Sequence, residues 1–397
     1  MNRQDILDDV LGIENKNIVL EFSTGTGKSL CALSVMRKHL TECNSSDKVL
    51  IVIPKLVLID NWLKEIEKWG FDDMKDKIEF STYNSLDKNY FKQWAMICFD
   101  ETHHITDRCF SIINMSHNRV ETRHLFLSAT LSISFKIRLK RTFPDLCIRT
   151  ISLKEAIENE ILPEPTILLY PLYLDNSQET KIYVKGSKGT PTKVKYSQRW
   201  PAIKNPEIQP HIMCTEAQYY GLLSEDITYF QKYVKYQQIY KNMLIKRLKI
   251  LSDFKTEKVK TILKFLKDYR VITFCNSIEQ TELLGKNCIH SKNDNRMDVL
   301  DDFNNKRIKH ITSCDILSEG VNVTDCRIGI FARINSSETA LKQKLGRILR
   351  HPKPVIIIPY YRHTREEEVV NTKILPEFNQ DKIFIIRGIN EITNYLN

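Results

Sequence analysis

The sequence predicts an α/β protein made of two doubly wound parallel-sheet domains in tandem, with a basic, partly helical insertion in the second. Three observations predict it. Short apolar runs alternate with stretches of helical apolar spacing along most of the chain, the pattern of strand-helix-strand crossover units. Several of these runs pass directly into Gly, Asp-Glu or Ser-Thr clusters, at what would be the carboxyl ends of strands, where open parallel sheets bind ligands. The length, 397 residues, is enough for two full cores.

The first element to justify is the run Asn17 to Phe22, apolar enough for a buried strand. It passes into Ser23-Thr24-Gly25-Thr26-Gly27-Lys28-Ser29, after which Leu30, Leu33, Met36 and Leu40 recur at helical spacing. Strand, glycine turn and helix are the context of a phosphate-binding loop. Gly25 and Gly27 let backbone N–H groups approach phosphate oxygens, Lys28 is placed to reach the β and γ phosphates of ATP, and Ser29 can ligate Mg2+. Phe22 stands where the general loop has its first glycine, so the match rests on Thr24 to Ser29. Ahead of the loop, Met1 to Ile13 is a short amphipathic lead-in. Its Gln4 has an amide suited to an adenine edge, although Gln is more often solvent-facing.

Lys48 to Ile53 is the next strand, followed by Pro54-Lys55 and a helix from Val57 to Trp69 whose Leu58, Trp62, Ile66 and Trp69 share a face. Ile78 to Thr82, with Tyr83, repeats the arrangement. Ala95 to Phe99 is a buried strand ending in Asp100-Glu101-Thr102-His103-His104. Opposite a phosphate loop, one carboxylate of such a pair holds magnesium and the other polarises the attacking water; Asp100 is assigned to the metal and Glu101 to the water. Asp is also a favoured helix cap, which is the competing reading of the pair. Adjacent imidazoles rarely converge on one ion, so His103 and His104 point to coupling rather than metal binding. His124 to Leu127 is another strand, closed by Ser128-Ala129-Thr130.

Phosphate loop, Asp-Glu-x-His and Leu127-Ser128-Ala129-Thr130, in this order, resemble the first RecA-like domain of a superfamily 2 helicase or translocase. Pro54 to Trp69 is similar to the family's motif Ia region, and Ser81 to Ser85 to the motif that follows it. The resemblance continues in the second half. Phe274-Cys275-Asn276-Ser277 and Ile289-His290-Ser291-Lys292 are similar to motif IV and the strand after it, and Leu317 to Val323 to motif V. In Gln343-Lys344-Leu345-Gly346-Arg347-Ile348-Leu349-Arg350, the residues Gln343, Gly346, Arg347 and Arg350 would share one helix face. By itself that is a solvated face; after a phosphate loop it resembles motif VI. The resemblance implies ATP and Mg2+ as cofactors and arginine fingers, Arg347 and Arg350, that meet the γ phosphate, worth roughly a thousandfold or more in rate. It also implies that Gln343 contacts the nucleotide or the His103 region, that Gly320 lies close to a ligand, and that His103, Ser128 and Thr130 couple the two activities. Nucleic acid would be contacted by Pro54, Lys55, Thr82, Asn276, Ser277, Val321 and Asn322.

The division expected is 1–161 for the first RecA-like domain and 162–397 for the second, the latter including a basic hairpin and helical insertion over 175–265. Leu162-Pro163-Glu164-Pro165 is a stiff crossing, and Ile167 to Leu174 is the strand after it. Between Lys181 and Lys204 there are seven Lys/Arg and no acid, with Tyr183, Tyr196 and Trp200 among them. A backbone-tracking hairpin and a solvated loop fit that composition about equally, and position favours the hairpin. Glu216 to Leu251 reads as helical. The tyrosines at 229, 233, 236 and 240 read as packing rather than as a stacking platform. Strand and helix alternate again from Arg270 to Ser313, Pro352 to Pro359 is a late strand, Arg362 to Glu368 reads as solvated, and Ile383 to Asn397 as a final strand and helix.

A net charge of +10 suits a polyanionic partner and is equally compatible with mere solubility. The ten cysteines show no zinc spacing, which predicts neither disulfides nor structural metal. No run approaches about 18 apolar residues, and Asp5, Asp8 and Asp9 make the start too acidic for a signal peptide, so the expected compartment is the cytoplasm, or a host's if the gene is phage-borne. The expected function is ATP-dependent work on nucleic acid, with DNA first, as in unwinding, branch migration or strand annealing. A DEAH-like RNA helicase is the second reading. A third is an ATP-gated binding module or the motor subunit of a larger complex. Within the family the chain resembles phage branch-migration helicases, repair translocases and type III restriction motors, which implies replication, recombination or restriction proteins as partners, and no membrane.

Overall fold

In a computed structural model, the described residues are 2–43, 47–183, 211–314, 323, 325–334, 345–346 and 348–396. They divide into two compact units. The first holds Met1–Pro165 with the described residues of Leu317–Cys326 and Ser337–Pro354, and the second holds those of Thr166–Ile316, Arg327–Ser336 and Val355–Asn397.

The first unit is built on a six-stranded sheet of β1 (Asn17–Phe22), β2 (Val49–Ile53), β3 (Ile78–Thr82), β4 (Met96–Phe99), β5 (Arg123–Ser128) and β6 (Cys147–Ile151). The order is β3-β2-β4-β5-β1-β6 and every pairing is parallel, with Val19 opposite Phe126 and Val52 opposite Phe99. Parallel strands need crossovers that cover both faces of the sheet. This explains why β1, β2 and β4 are buried at every position. On one face Val19, Leu50, Val52, Ile97, Phe99 and Phe126 form a core with Phe110, Ile113 and Phe143. Because all six strands run the same way, their carboxyl ends share one edge, and the phosphate loop, Pro54, Thr82, Asp100 and Ser128 all fall there.

The second unit has a seven-stranded parallel sheet of β7 (Thr166–Leu172), β10 (Val271–Phe274), β11 (Cys288–Ile289), β12 (His310–Ser313), β13 (Ile328–Phe331), β14 (Val355–Tyr361) and β15 (Ile383–Ile385), and between β7 and β10 a separate antiparallel pair, β8 (Thr180–Tyr183) with β9 (His211–Cys214). Its order is β11-β12-β10-β13-β14-β7-β15. The central β13 is only four residues long and has no alternation, so periodicity did not mark it. Most of the basic stretch 181–204 lies outside the described residues.

Expectations for three stretches are corrected here. The helical stretch from Glu216 to Leu251 is divided into two helices, Glu216–Gln231 and Gln237–Phe254, separated at Lys232 and a short 3-10 turn at Val234–Tyr236. The tyrosine stripe therefore splits: Tyr236 and Tyr240 pack on Ile227, Phe230 and Met243, whereas Tyr229 and Tyr233 are exposed. Nor is Arg362 to Glu368 wholly solvated. Glu366 is completely buried, ion-paired at 2.6 Å with an equally buried Lys255. Lys255 also donates to the Pro359 carbonyl (3.1 Å), and Glu366 accepts from the Tyr361 N–H (3.0 Å). Burial lowers the Lys255 pKa while the Glu366 charge opposes the shift. The final segment Ile389–Tyr395 is 3-10 rather than α-helical. Among the described residues, no helix is long and apolar enough to cross a membrane.

Candidate nucleotide and nucleic-acid site

The loop after β1 is shaped by its own hydrogen bonds. Ser23 N–H donates to Ile151 O at 3.0 Å, which ties the start of the loop to β6, and Thr26 Oγ1 donates to Ser23 O at 2.7 Å. Gly25 and Gly27 have φ of 90° and 102°, the left-handed region that glycine enters without penalty. A Cβ on Gly27 would meet nothing within 4 Å, so the space over the loop is open, whereas one on Gly25 would meet Leu162 at 3.2 Å. The helix Lys28–Cys43 begins at the loop's end. Lys28 Nζ donates to Phe22 O at 2.7 Å, which holds the ammonium at the mouth of the loop, and Ser29 is part-exposed beside it.

Asp100 and Glu101 follow β4. Glu101 has φ 47° and ψ 56°, a left-handed conformation uncommon in a non-glycine residue and of a kind that clusters at functional sites. The strain is held by Thr102, which is fully buried and whose hydroxyl reaches both Phe99 O and Leu127 O at 3.0 Å. Glu101 Oε2 is buried without a hydrogen-bond partner, and His103 Nδ1 lies 3.5 Å from it. His103 Nδ1 is also 3.4 Å from Ser128 Oγ, and Ser128 Oγ donates to Thr130 O at 2.9 Å. His103, Ser128 and Thr130 are thus brought together beside Glu101.

Burial pushes the Asp100 carboxyl up to about 7, and the Glu101 charge adds to the rise. The Trp62 N–H, the Lys28 ammonium and the Glu101 N–H oppose it. A crowded carboxylate beside a second carboxylate is a place that a cation stabilises. With the Ser29 hydroxyl near the loop, the donor set is hard oxygen, which fits Mg2+.

One residue that sequence reasoning missed is Glu21, nine-tenths buried inside β1. It accepts from Leu131 N–H (2.7 Å) and Thr150 Oγ1 (3.2 Å) and pairs with Lys136 at 2.5 Å, so it fixes the chain just after Thr130. A lone acid in an otherwise apolar strand was its signal. Gly346, in the first unit, lies against Thr24: an added Cβ would come within 2.4 Å of Thr24 Cβ, so only glycine fits there. Arg350 is solvent-exposed, with surrounding protein lowering its pKa and the Glu65 carboxylate opposing.

The remaining expected positions are dispersed. Gln4 is exposed and donates to Asp8 at 2.8 Å. Pro54 and Lys55 form the turn after β2, and Thr82 ends β3 with its hydroxyl 3.3 Å from Ser85. In the second unit Asn276 and Ser277 follow β10, and Ser277 Oγ caps the helix Ile278–Leu284 by accepting from Gln280 N–H. Gly320, Val321, Asn322, Gln343 and Arg347 lie outside the described residues.

A glycine-bearing turn and an Asp-Glu pair at the carboxyl ends of one parallel sheet, followed in the chain by a second parallel sheet, have the architecture of tandem RecA-like domains. Comparison narrows the class. Residues 4–133 match the family described as type III restriction enzyme, res subunit, and residues 254–352 match the helicase conserved C-terminal domain. The chain is 23% identical over 366 residues to a DNA 3'-5' translocase XPB2 of Sulfurisphaera tokodaii, covering 85% of this chain and 76% of that protein. Among solved structures it resembles S. cerevisiae Dbp5 bound to RNA and ADP BeF3 (TM-score 0.60, 11% identity, 98% of this chain and 90% of that one). It also resembles the Pyrococcus furiosus Hef helicase domain (TM-score 0.53, 14% identity, 93% and 97%). The structural likenesses establish the fold. The chain belongs to the superfamily 2 DEAD/DEAH-type helicases and is an ATP-hydrolysing enzyme of that superfamily.

Proposed function

We propose that the chain is a DNA translocase driven by ATP hydrolysis, with 1–161 and 162–397 as its two motor domains. The observation that carries the reading is the convergence, on one sheet edge, of the phosphate loop, Asp100, the strained Glu101 and the His103-Ser128-Thr130 group. DNA rather than RNA is supported by the likeness to the Sulfurisphaera relative, a DNA 3'-5' translocase. That relative and the match to a type III restriction enzyme res subunit both support a motor that works on DNA.

In this reading the N–H groups of Thr24 to Lys28 wrap the phosphates. Lys28 leaves the Phe22 carbonyl for the β and γ oxygens. Mg2+ held by Ser29 and Asp100 would neutralise charge on those oxygens. Glu101 accepts a proton from the attacking water through Oε2, which accepts no hydrogen bond and has His103 Nδ1 3.5 Å away. His103 beside it senses the change and passes it to Ser128 and Thr130. Arg347 and Arg350 add positive charge at the γ phosphate, and Gln343 and Gly320 contact nucleotide. Pro54, Lys55, Thr82, Asn276, Ser277, Val321 and Asn322 grip the backbone, a contact that ignores sequence and weakens with salt.

Displacement of a third strand from a duplex DNA track tests this directly. It should occur with ATP and stop with a non-hydrolysable analogue. Hydrolysis stimulated by DNA without any displacement would contradict translocation, and displacement along RNA alone would reassign the track.

A further inference from the structure

Asp100 is held from two sides by aromatic hydrogen-bond donors. The Trp62 indole N–H donates to Asp100 Oδ2 at 3.0 Å, and the Tyr83 hydroxyl donates to the Asp100 carbonyl at 2.7 Å. Both side chains are more than nine-tenths buried. They come from different elements. Trp62 lies on the buried face of the helix Leu58–Lys68, with Leu58 and Ile66 one turn either side. Tyr83 directly follows β3.

The sheet order brings them together. β2 lies between β3 and β4, Val52 pairs with Phe99, and Asp100 N–H donates to Val52 O at 2.8 Å. Asp100 is therefore hydrogen-bonded by the strand before the helix of Trp62, by that helix, and by the segment after β3. The Tyr83 ring also lies 6.3 Å from those of Phe99 and His104, and His104 is 4.5 Å from His103.

The other end of each element carries exposed chain. Lys55, Leu56 and Val57 are exposed just before the helix of Trp62, with Leu58 N–H bonded back to Lys55 O at 3.0 Å. Thr82 is part-exposed and adjacent to Tyr83. A displacement of the Lys55 turn would be carried to the indole along the helix Leu58–Lys68, which begins three residues later. A displacement at Thr82 moves the phenol.

We infer that Trp62 and Tyr83 are positioning residues that report nucleic acid at the Lys55 turn and at Thr82 to Asp100, so that strand engagement sets the orientation of the carboxylate. This rests on the reading of those two turns as nucleic-acid contacts. An N–H donating to a carboxylate is strong and directional, and a buried aromatic holds its direction through packing. The device needs no large motion: a shift at the indole turns the carboxylate directly, and a shift at the phenol acts on the main-chain carbonyl of the same residue.

Trp62→Phe and Tyr83→Phe keep the rings and remove the donors. Single-stranded DNA affinity without nucleotide should stay within about twofold of the unmodified protein. The ratio of DNA-stimulated to basal ATPase should fall roughly 2- to 30-fold, the range of coupling that single residues carry. A second readout needs no turnover: DNA added without nucleotide or Mg2+ should change tryptophan emission, and the change should be reduced in Trp62→Phe. Should Trp62→Phe fail to fold, Tyr83→Phe carries the stimulation test. Equal stimulation in both variants, or an emission change identical with and without Trp62, overturns the inference. No stimulation of the unmodified protein by any nucleic acid would instead overturn the functional reading beneath it.

Discussion

At the residue scale, the site depends on a few side chains whose environments set their behaviour. His124 shows how strongly. It is fully buried in β5, between the Tyr90 hydroxyl (2.8 Å) and Asn17 Oδ1 (3.0 Å), and burial lowers its pKa from 6.5 to about 3, with Lys16 adding to the shift and the Thr122 backbone opposing. The unfolded chain takes a proton near 6.5 and the folded one does not. Stability from this residue is therefore complete above 6.5 and is lost as pH falls toward 3, by about 2 kcal/mol between pH 7 and 5. The thermal midpoint should fall over that interval, and His124→Gln should flatten the dependence; an unaltered slope would contradict the assignment. The glycine turn after β1 and the Asp100-Glu101 pair after β4 were legible in sequence as positions, because apolar runs that pass into Gly or Asp-Glu mark the carboxyl ends of strands. Glu21 and the donor role of Trp62 were not, since their partners are 110 and 38 residues away.

At the scale of elements, the second unit depends on a pair that no periodicity marks. Lys255 joins two helices and Glu366 begins another, and they meet 111 residues apart. Removing one partner strands the other's charge in the core, so Lys255→Met should cost about 3–5 kcal/mol in denaturant unfolding. Adding Glu366→Gln should recover part of that loss, because Gln retains an acceptor for Tyr361 N–H. A single-variant cost below about 1 kcal/mol would mean that the pair is not closed in solution. Strands were read from apolar runs to within a residue or two where they led into motifs. The division at Lys232 was not, because lysines and tyrosines at helical spacing continue across it and no Gly or Pro interrupts them.

At the scale of the molecule, two parallel sheets were legible from alternation and from motif order. The described parts of Leu317–Cys326 and Ser337–Pro354 group with the first unit although they follow strands of the second. That exchange is tertiary and leaves no local pattern. The central claim is that the first unit couples hydrolysis by Glu101 to a bound polymer. Its most direct test is the steady-state ATPase of the chain and of Glu101→Gln, each with and without single-stranded, duplex and forked DNA, and RNA, at one moderate salt concentration. The account predicts stimulation by DNA in the unmodified protein and, in Glu101→Gln, retained ATP binding with turnover lower by roughly 10²- to 10⁴-fold. Turnover indifferent to every polymer, or undiminished in Glu101→Gln, would contradict it.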